Sequence, residues 1–306
     1  MMTTRRPMRF NSKFNRKRGQ APEPNTDTNA DIGKIVQTKA GSWFNGKLHF
    51  YDYTVTLPKT GYINIPYIRD LPSIQAKFVG IPKSRVDALF NEYKKRTRNI
   101  NAFITMTPTF AEHIKTVYNI NVKYGIFMAY PSWEETPSDK RDEIVYIDHS
   151  STVPFGFEEH LDYLHNITTT TGIKTIFSSL KFNDTASSIV NTNKYNVTTI
   201  PLTKYDCGSA YGLLMNTNNF NQASECLNRK LLKYLMYGMN PLIHESFVES
   251  IRYVKSKDIQ PLVYTHINDI NIENHNFGSI DKRHFCMAER VPDLKRELIR
   301  LTEEIK

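Results

Sequence analysis

Eight short runs of aromatic and β-branched residues constrain the fold of this 306-residue chain more than any other feature. They lie at 47–57, 100–107, 122–130, 143–148, 195–200, 210–216, 247–255 and 262–266. In the clearest of them Ile100, Ala102, Ile104 and Met106 alternate with Asn101, Phe103, Thr105 and Thr107 before Pro108 ends the run, the period of a half-buried strand. The segments between the runs read as long loops more than as regular helices, which predicts an antiparallel sandwich over a parallel α/β sheet. Helices are fewer. Ser84 and Asp87 form a capping box ahead of Val86, Leu89, Phe90 and Tyr93, so a helix is expected over 84–96, and Thr109 with Glu112 repeats the start signal after Pro108. Others are expected over 157–165, over 224–237 with Leu227, Leu231 and Leu235 on one face, and over 291–305. The resulting fold class is mainly β, an antiparallel jelly-roll sandwich with helices in its connecting loops.

Charge divides the chain in two. Residues 1–22 contain Arg5, Arg6, Arg9, Lys13, Arg16, Lys17 and Arg18 and no acid, so seven of the nine excess positive charges sit there. This stretch has no apolar periodicity and runs into a Pro, Asn, Thr and Asp tract at 20–29, the composition of a disordered arm and linker over 1–31. Such an arm fits a phosphate backbone, because each cation that neutralises a phosphate releases a counterion; seven cations on a single strand imply a log-log salt slope of up to roughly −5. Phe10 and Phe14 offer stacking surfaces for unpaired bases. Lys94, Lys95, Arg96 and Arg98 form a second basic cluster, read either as an extension of that binding surface or as a solvated helix end that suits the helix dipole.

Signatures of catalysis are sparse. Gly33-Lys34 and Gly46-Lys47 lack the rest of a phosphate-binding loop, no GxGxxG occurs, and Gly208-Ser209-Ala210-Tyr211-Gly212 places Ser one position too early for a nucleophile elbow. His244-Glu245 has Val248 where a second zinc-binding His belongs. The pair His149-Ser150-Ser151 and His266-Ile267-Asn268 loosely resembles the two motifs of two-histidine phosphoesterases, without the hydroxyl in the second copy. Cys207, Cys226 and Cys286 form no CxxC pair and read as reduced thiols, and no apolar stretch is long enough to span a bilayer. The expectation is a chain that is not an enzyme, with no cofactor, no metal and no membrane insertion.

Several segments resemble the capsid proteins of circovirus-like viruses with small circular single-stranded DNA genomes. The basic arm, Leu89-Phe90-Asn91-Glu92-Tyr93-Lys94-Lys95-Arg96 running on through Ile104 to Pro108, Ile147-Asp148 followed by Pro154 and 157–163, Asp206-Cys207-Gly208-Ser209, and Ser250-Ile251-Arg252-Tyr253-Val254 carry the likeness. The resemblance covers roughly 1–257; the reduced basic content after residue 170, Lys174 and Lys181, and the last fifty residues depart from it. It implies a disordered arm, a jelly-roll shell domain over 32–257 and a C-terminal extension over 258–306. The function it implies is a self-assembling icosahedral shell that packages single-stranded DNA, is imported through nuclear receptors, and resides in the virion and the host nucleus. Two alternatives stand beside it: a viral nucleoprotein or single-strand-binding factor, and an enzyme built on His149 and His266.

Overall fold

The computed structural model describes residues 41–69, 71, 82–128, 137–148, 157–179, 194–216, 227–285 and 287–305. Their strands form two sheets, both mostly parallel. The first has the order β1 (Ser42–Asn45), β2 (Leu48–Asp52), β3 (Ile63–Tyr67), β4 (Ala102–Thr105) and β5 (Lys123–Ile126). Only its β1–β2 hairpin is antiparallel, turning at Gly46, whose φ of 56° suits a residue without a Cβ. The helices α1 (Lys83–Arg96) and α2 (Pro108–Tyr118) carry the chain from β3 to β4 and from β4 to β5. The start of α2 lies two residues earlier than the sequence predicts: Thr107 is the cap, its hydroxyl accepting from Phe110 N–H at 3.1 Å, and Pro108 takes the first helical position, where no N–H is needed.

The second sheet contains β6 (Arg141–Asp148), β7 (Lys174–Ser179), β8 (Thr198–Pro201), β9 (Ser209–Leu214), β10 (Asn240–His244) and β11 (Leu262–Tyr264) in the order β11-β10-β9-β6-β7-β8, every pair parallel. Counted from β6 this is the doubly wound order 3-2-1-4-5-6. Its crossovers include α3 (Phe157–Thr171), α4 (Arg229–Met236) and α5 (Val248–Lys255), and the chain ends in α6 (Met287–Ile305).

The antiparallel jelly roll is therefore overturned. Both faces of the strands are covered: in β6, Ile144 and Tyr146 face one apolar cluster with α3, while Val145 and Ile147 face another with α4. A nearly unbroken apolar run is the pattern of a parallel strand buried between helices. In β4 the residues expected on the exposed side, Phe103 and Thr105, are as fully buried as Ala102 and Ile104. The run at 247–255 is a helix, with Ser250, Tyr253 and Val254 on its buried side.

One apolar cluster joins the two sheets through α6, whose Leu294, Leu298 and Leu301 are fully buried. This last helix lies against β5 so closely that a Cβ on Gly125 would sit 3.0 Å from Leu301 Cδ1 and nearer still to Glu297. The helices that follow β4 and β10 meet at their starts: Thr109 Oγ donates to Glu249 Oε1 at 2.7 Å, and Glu249 is 5% exposed. The carboxyl ends of β4 and β10 thus lie toward one another. Among the described residues no helix is long and apolar enough to cross a membrane.

Candidate functional site

In a doubly wound sheet the chain leaves the two central strands toward opposite faces, and the crevice between their carboxyl ends is where ligands bind. Here those strands are β6 and β9. Their ladder pairing stops at Val145 opposite Gly212. Beyond it the Tyr234 hydroxyl, from α4, accepts from Ile147 N–H at 3.0 Å and donates to the Leu213 carbonyl at 3.0 Å, so a side chain stands where the strands would otherwise bond. Tyr234 is fully buried, and burial raises its pKa well above the ordinary phenol value, which keeps the hydroxyl protonated and able to donate. Gly212 is what lets the ring in: a Cβ there would lie 2.2 Å from Tyr234 Cγ. The next carbonyl, Leu214, accepts from Tyr264 O–H at 3.1 Å.

At the mouth of this crevice stands Lys230, in the first turn of α4, which Asn228 caps by accepting from Lys230 N–H at 2.9 Å. Asn228 is itself anchored, its N–H donating to Ser250 Oγ at 3.1 Å. The Lys230 ammonium donates to Tyr146 O–H at 2.7 Å, lies 4.1 Å from the centre of that ring, and is 3.9 Å from Asp148 Oδ1. Ser179, opposite Asp148 in the β6–β7 ladder, and its neighbour Ser178 are fully buried, and their hydroxyls have no hydrogen-bond partner among the described residues. The arrangement is a partly enclosed cation at a helix start, beside a carboxylate and neutral hydroxyls. It suits a phosphorylated ligand that takes the place of Asp148 at Lys230.

His160, on α3, packs its ring 5.4 Å from Tyr146. Burial first, and then the Lys230 charge, lower its pKa from 6.5 to about 4, with Asp148 opposing. The folded protein therefore holds this imidazole neutral, and the unfolded chain binds the proton more readily. The stability that His160 contributes is complete above pH 6.5 and is lost as the pH falls from there toward 4. The urea midpoint of the wild type should drop across that window more steeply than that of His160→Gln; parallel curves would show that His160 plays no part in the acid sensitivity.

In the first sheet, at the end of β2, Asp52 pairs with Arg69 at 3.5 Å, and both side chains are almost wholly buried. Thr54 donates to Asp52 through its N–H at 2.8 Å and its hydroxyl at 2.5 Å. Arg96 donates to the carbonyls of Tyr53 at 3.0 Å and Thr54 at 2.8 Å and pairs with Glu92, so this member of the predicted basic cluster holds the end of β2 in place. Lys94, Lys95 and Arg98 lie around the carboxyl end of α1. Arg5, Arg6, Arg9, Lys13, Arg16, Lys17 and Arg18 are outside the described residues, as is His149. His266 precedes a single helical turn whose Asp269 accepts from the His266 and Thr265 N–H groups. Among the described residues no group of three or more His, Cys, Asp or Glu is placed to hold a metal. The sequence reading did not single out Lys230 or Tyr234; the available signal was Asn228 as a cap ahead of a strongly amphipathic run.

No protein-family model matches the chain, and no curated protein sequence matches it. Solved structures do. AviGT4, a glycosyltransferase involved in avilamycin A biosynthesis, superposes with a TM-score of 0.52 at 8% identity, over 89% of this chain and 78% of that one. TarM gives 0.46 at 10% identity, over 80% of this chain and 47% of its own length. The pneumococcal O-GlcNAc transferase GtfA, solved with UDP and GlcNAc, gives 0.42 at 9% identity, over 87% and 63%. AviGT4 is a glycosyltransferase, not a shell protein. This overturns the capsid resemblance and, with it, the nucleic-acid-packaging function, the virion and nuclear location, and the expectation that the chain is not an enzyme. The two-histidine phosphoesterase reading finds no support either. The physical reason is topological: short motifs in matching order do not encode strand direction, and parallel sheets joined by helices cannot form a jelly roll. The fold of this chain is a pair of Rossmann-like α/β sheets of the kind called GT-B.

Proposed function

We propose that this chain is a glycosyltransferase that takes its sugar from a nucleoside-diphosphate donor, with the diphosphate seated at the mouth of the β6–β9 crevice. The observation that carries the reading is Lys230, a cation held at a helix start over the point where the two central strands part. The likeness to AviGT4 supports it at the level of fold.

In such a transfer the bond between the anomeric carbon and the diphosphate oxygen breaks, the diphosphate leaves with the electron pair, and the acceptor oxygen bonds to that carbon and releases its proton to water. Negative charge grows on the departing diphosphate. Lys230 is positioned to neutralise it in a place only partly reached by solvent, its side chain 22% exposed, where a fixed charge acts more strongly than it does in water. Tyr146 and Asp148 hold the ammonium in place before the donor arrives.

The test is a panel of uridine, guanosine, cytidine, adenosine and deoxythymidine diphosphates scored by thermal shift. The matching sugar nucleotides are then followed by mass spectrometry for release of the nucleoside diphosphate. At least one diphosphate should raise the unfolding temperature, and its sugar conjugate should turn over. A flat response to every diphosphate together with no turnover would remove the reading.

A further inference from the structure

At the opposite end of the first sheet, where β4 and β5 begin, a hollow of about 380 Å³ opens between the last turn of α1 and the end of α2. Its floor is apolar: Ile100 is 7% exposed and Tyr118 1%. Among the described residues its rim carries Lys94, Arg98, Asn119 and Asn121 and no acidic side chain. We infer that this hollow binds a small phosphorylated ligand of about sugar-phosphate size, separately from the β6–β9 crevice.

The argument turns on what the cations are already doing. Four basic residues crowd the end of α1, and they divide sharply. Arg96 is committed, to Glu92 and to two backbone carbonyls. Lys94, Lys95 and Arg98 have no carboxylate partner among the described residues; the nearest aromatic contact of Lys94 is the Phe90 ring at 5.7 Å. Cations at a helix end often serve its exposed carbonyls. Here local bonds already cover two of those carbonyls: Lys94 O accepts from Thr97 through both N–H and hydroxyl, and Lys95 O accepts from Arg98 N–H. The end of α2 is closed in the same way, Lys115 O accepting from Ile120 N–H and Thr116 O from Asn119 N–H. Lys94 and Arg98 are therefore available, one a compact charge and the other a planar fork that takes two phosphate oxygens at once. The volume exceeds what a bare phosphate needs and falls in the range of small-molecule sites. The Asn119 and Asn121 amides supply both donors and acceptors for the hydroxyls of an attached ring.

Binding of glucose 1-phosphate and of inorganic phosphate would be followed by NMR, reading the side-chain amide signals of Asn119 and Asn121 in wild type, Lys230→Gln and the double variant Lys94→Gln/Arg98→Gln. Wild type and Lys230→Gln should bind glucose 1-phosphate saturably at 150 mM salt, and more tightly than phosphate. The double variant should bind about tenfold more weakly with an unchanged unfolding temperature. Three results would each overturn the inference: no saturable shift in Lys230→Gln, equal affinity in the double variant, or loss of the shift at 150 mM salt. A failure of the crevice reading would appear instead as Lys230→Gln behaving like wild type toward nucleoside diphosphates, so the two claims stand or fall apart.

Discussion

Lys230→Gln is expected to lower glycosyl-transfer turnover by about 10²–10³-fold, the usual consequence of removing one aligned group from developing negative charge. The change should fall mainly on kcat. The charge on the leaving diphosphate increases as the glycosidic bond breaks, so the lost attraction is larger in the transition state than in the bound donor. Stability gives the control. The Lys230–Asp148 contact is long, 3.9 Å, and the variant keeps a chain able to reach Tyr146. The urea midpoint should therefore move little. Asp148→Asn separates two roles for the carboxylate: if Asp148 only holds Lys230 before the donor binds, turnover survives in large part. Unchanged turnover in Lys230→Gln would show that the diphosphate is not at this crevice, whatever the fold.

The local elements of this protein were far more legible than their arrangement. Apolar spacing located α1 almost residue for residue, since Ser84 to Arg96 lies within Lys83–Arg96, although the expected Ser84–Asp87 capping box does not form and Pro82 stands at the cap with no side-chain bond; five of the six described helices were expected. Four strands of the described sheets, β1, β3, β7 and β10, passed unnoticed, the last three for identifiable reasons. β3 and β10 contain Pro66 and Pro241 in the interior of a sheet, where a residue without an N–H is usually excluded. β7 ends in two serines that nevertheless lie fully buried. With these missing, helices that carry the chain from one parallel strand to the next looked like ornaments on loops. Strand direction then had nothing to decide it, because a run such as Glu143 to Asp148 has the same composition in either sense. The site was hidden for the same reason. Asp148, His160, Tyr146 and Lys230 span more than eighty positions, and only the doubly wound order brings them to one crevice. The sequence did expose the basic cluster at 94–98, but not the division of labour within it, which depends on the carbonyls of Tyr53 and Thr54 some forty residues away.

Tyr234→Phe is expected to destabilise the fold by about 2–4 kcal/mol, far more than the loss of an exposed hydroxyl, because two buried backbone groups lose their partner at once and each orphan costs roughly 1–3 kcal/mol. Those groups are Ile147 N–H and the Leu213 carbonyl, on residues that are fully buried and therefore out of reach of compensating water. Hydrogen exchange locates the effect: the Ile147 amide should be strongly protected in the wild type and should exchange much faster in Tyr234→Phe. Amides lower in the β6–β9 ladder, at Val145 and Gly212, should change only as far as global stability does. Gly212→Ala attacks the same device from the other side. Its methyl would overlap the Tyr234 ring, and the overpacking should cost about 1–3 kcal/mol or more while moving the hydroxyl off both partners. The two substitutions disable one contact, so their combined cost should be clearly less than the sum. An additive double variant, with Ile147 exchange unaltered in either single one, would mean that the strands are parted by something other than this tyrosine. The crevice that receives the donor would then need a different explanation.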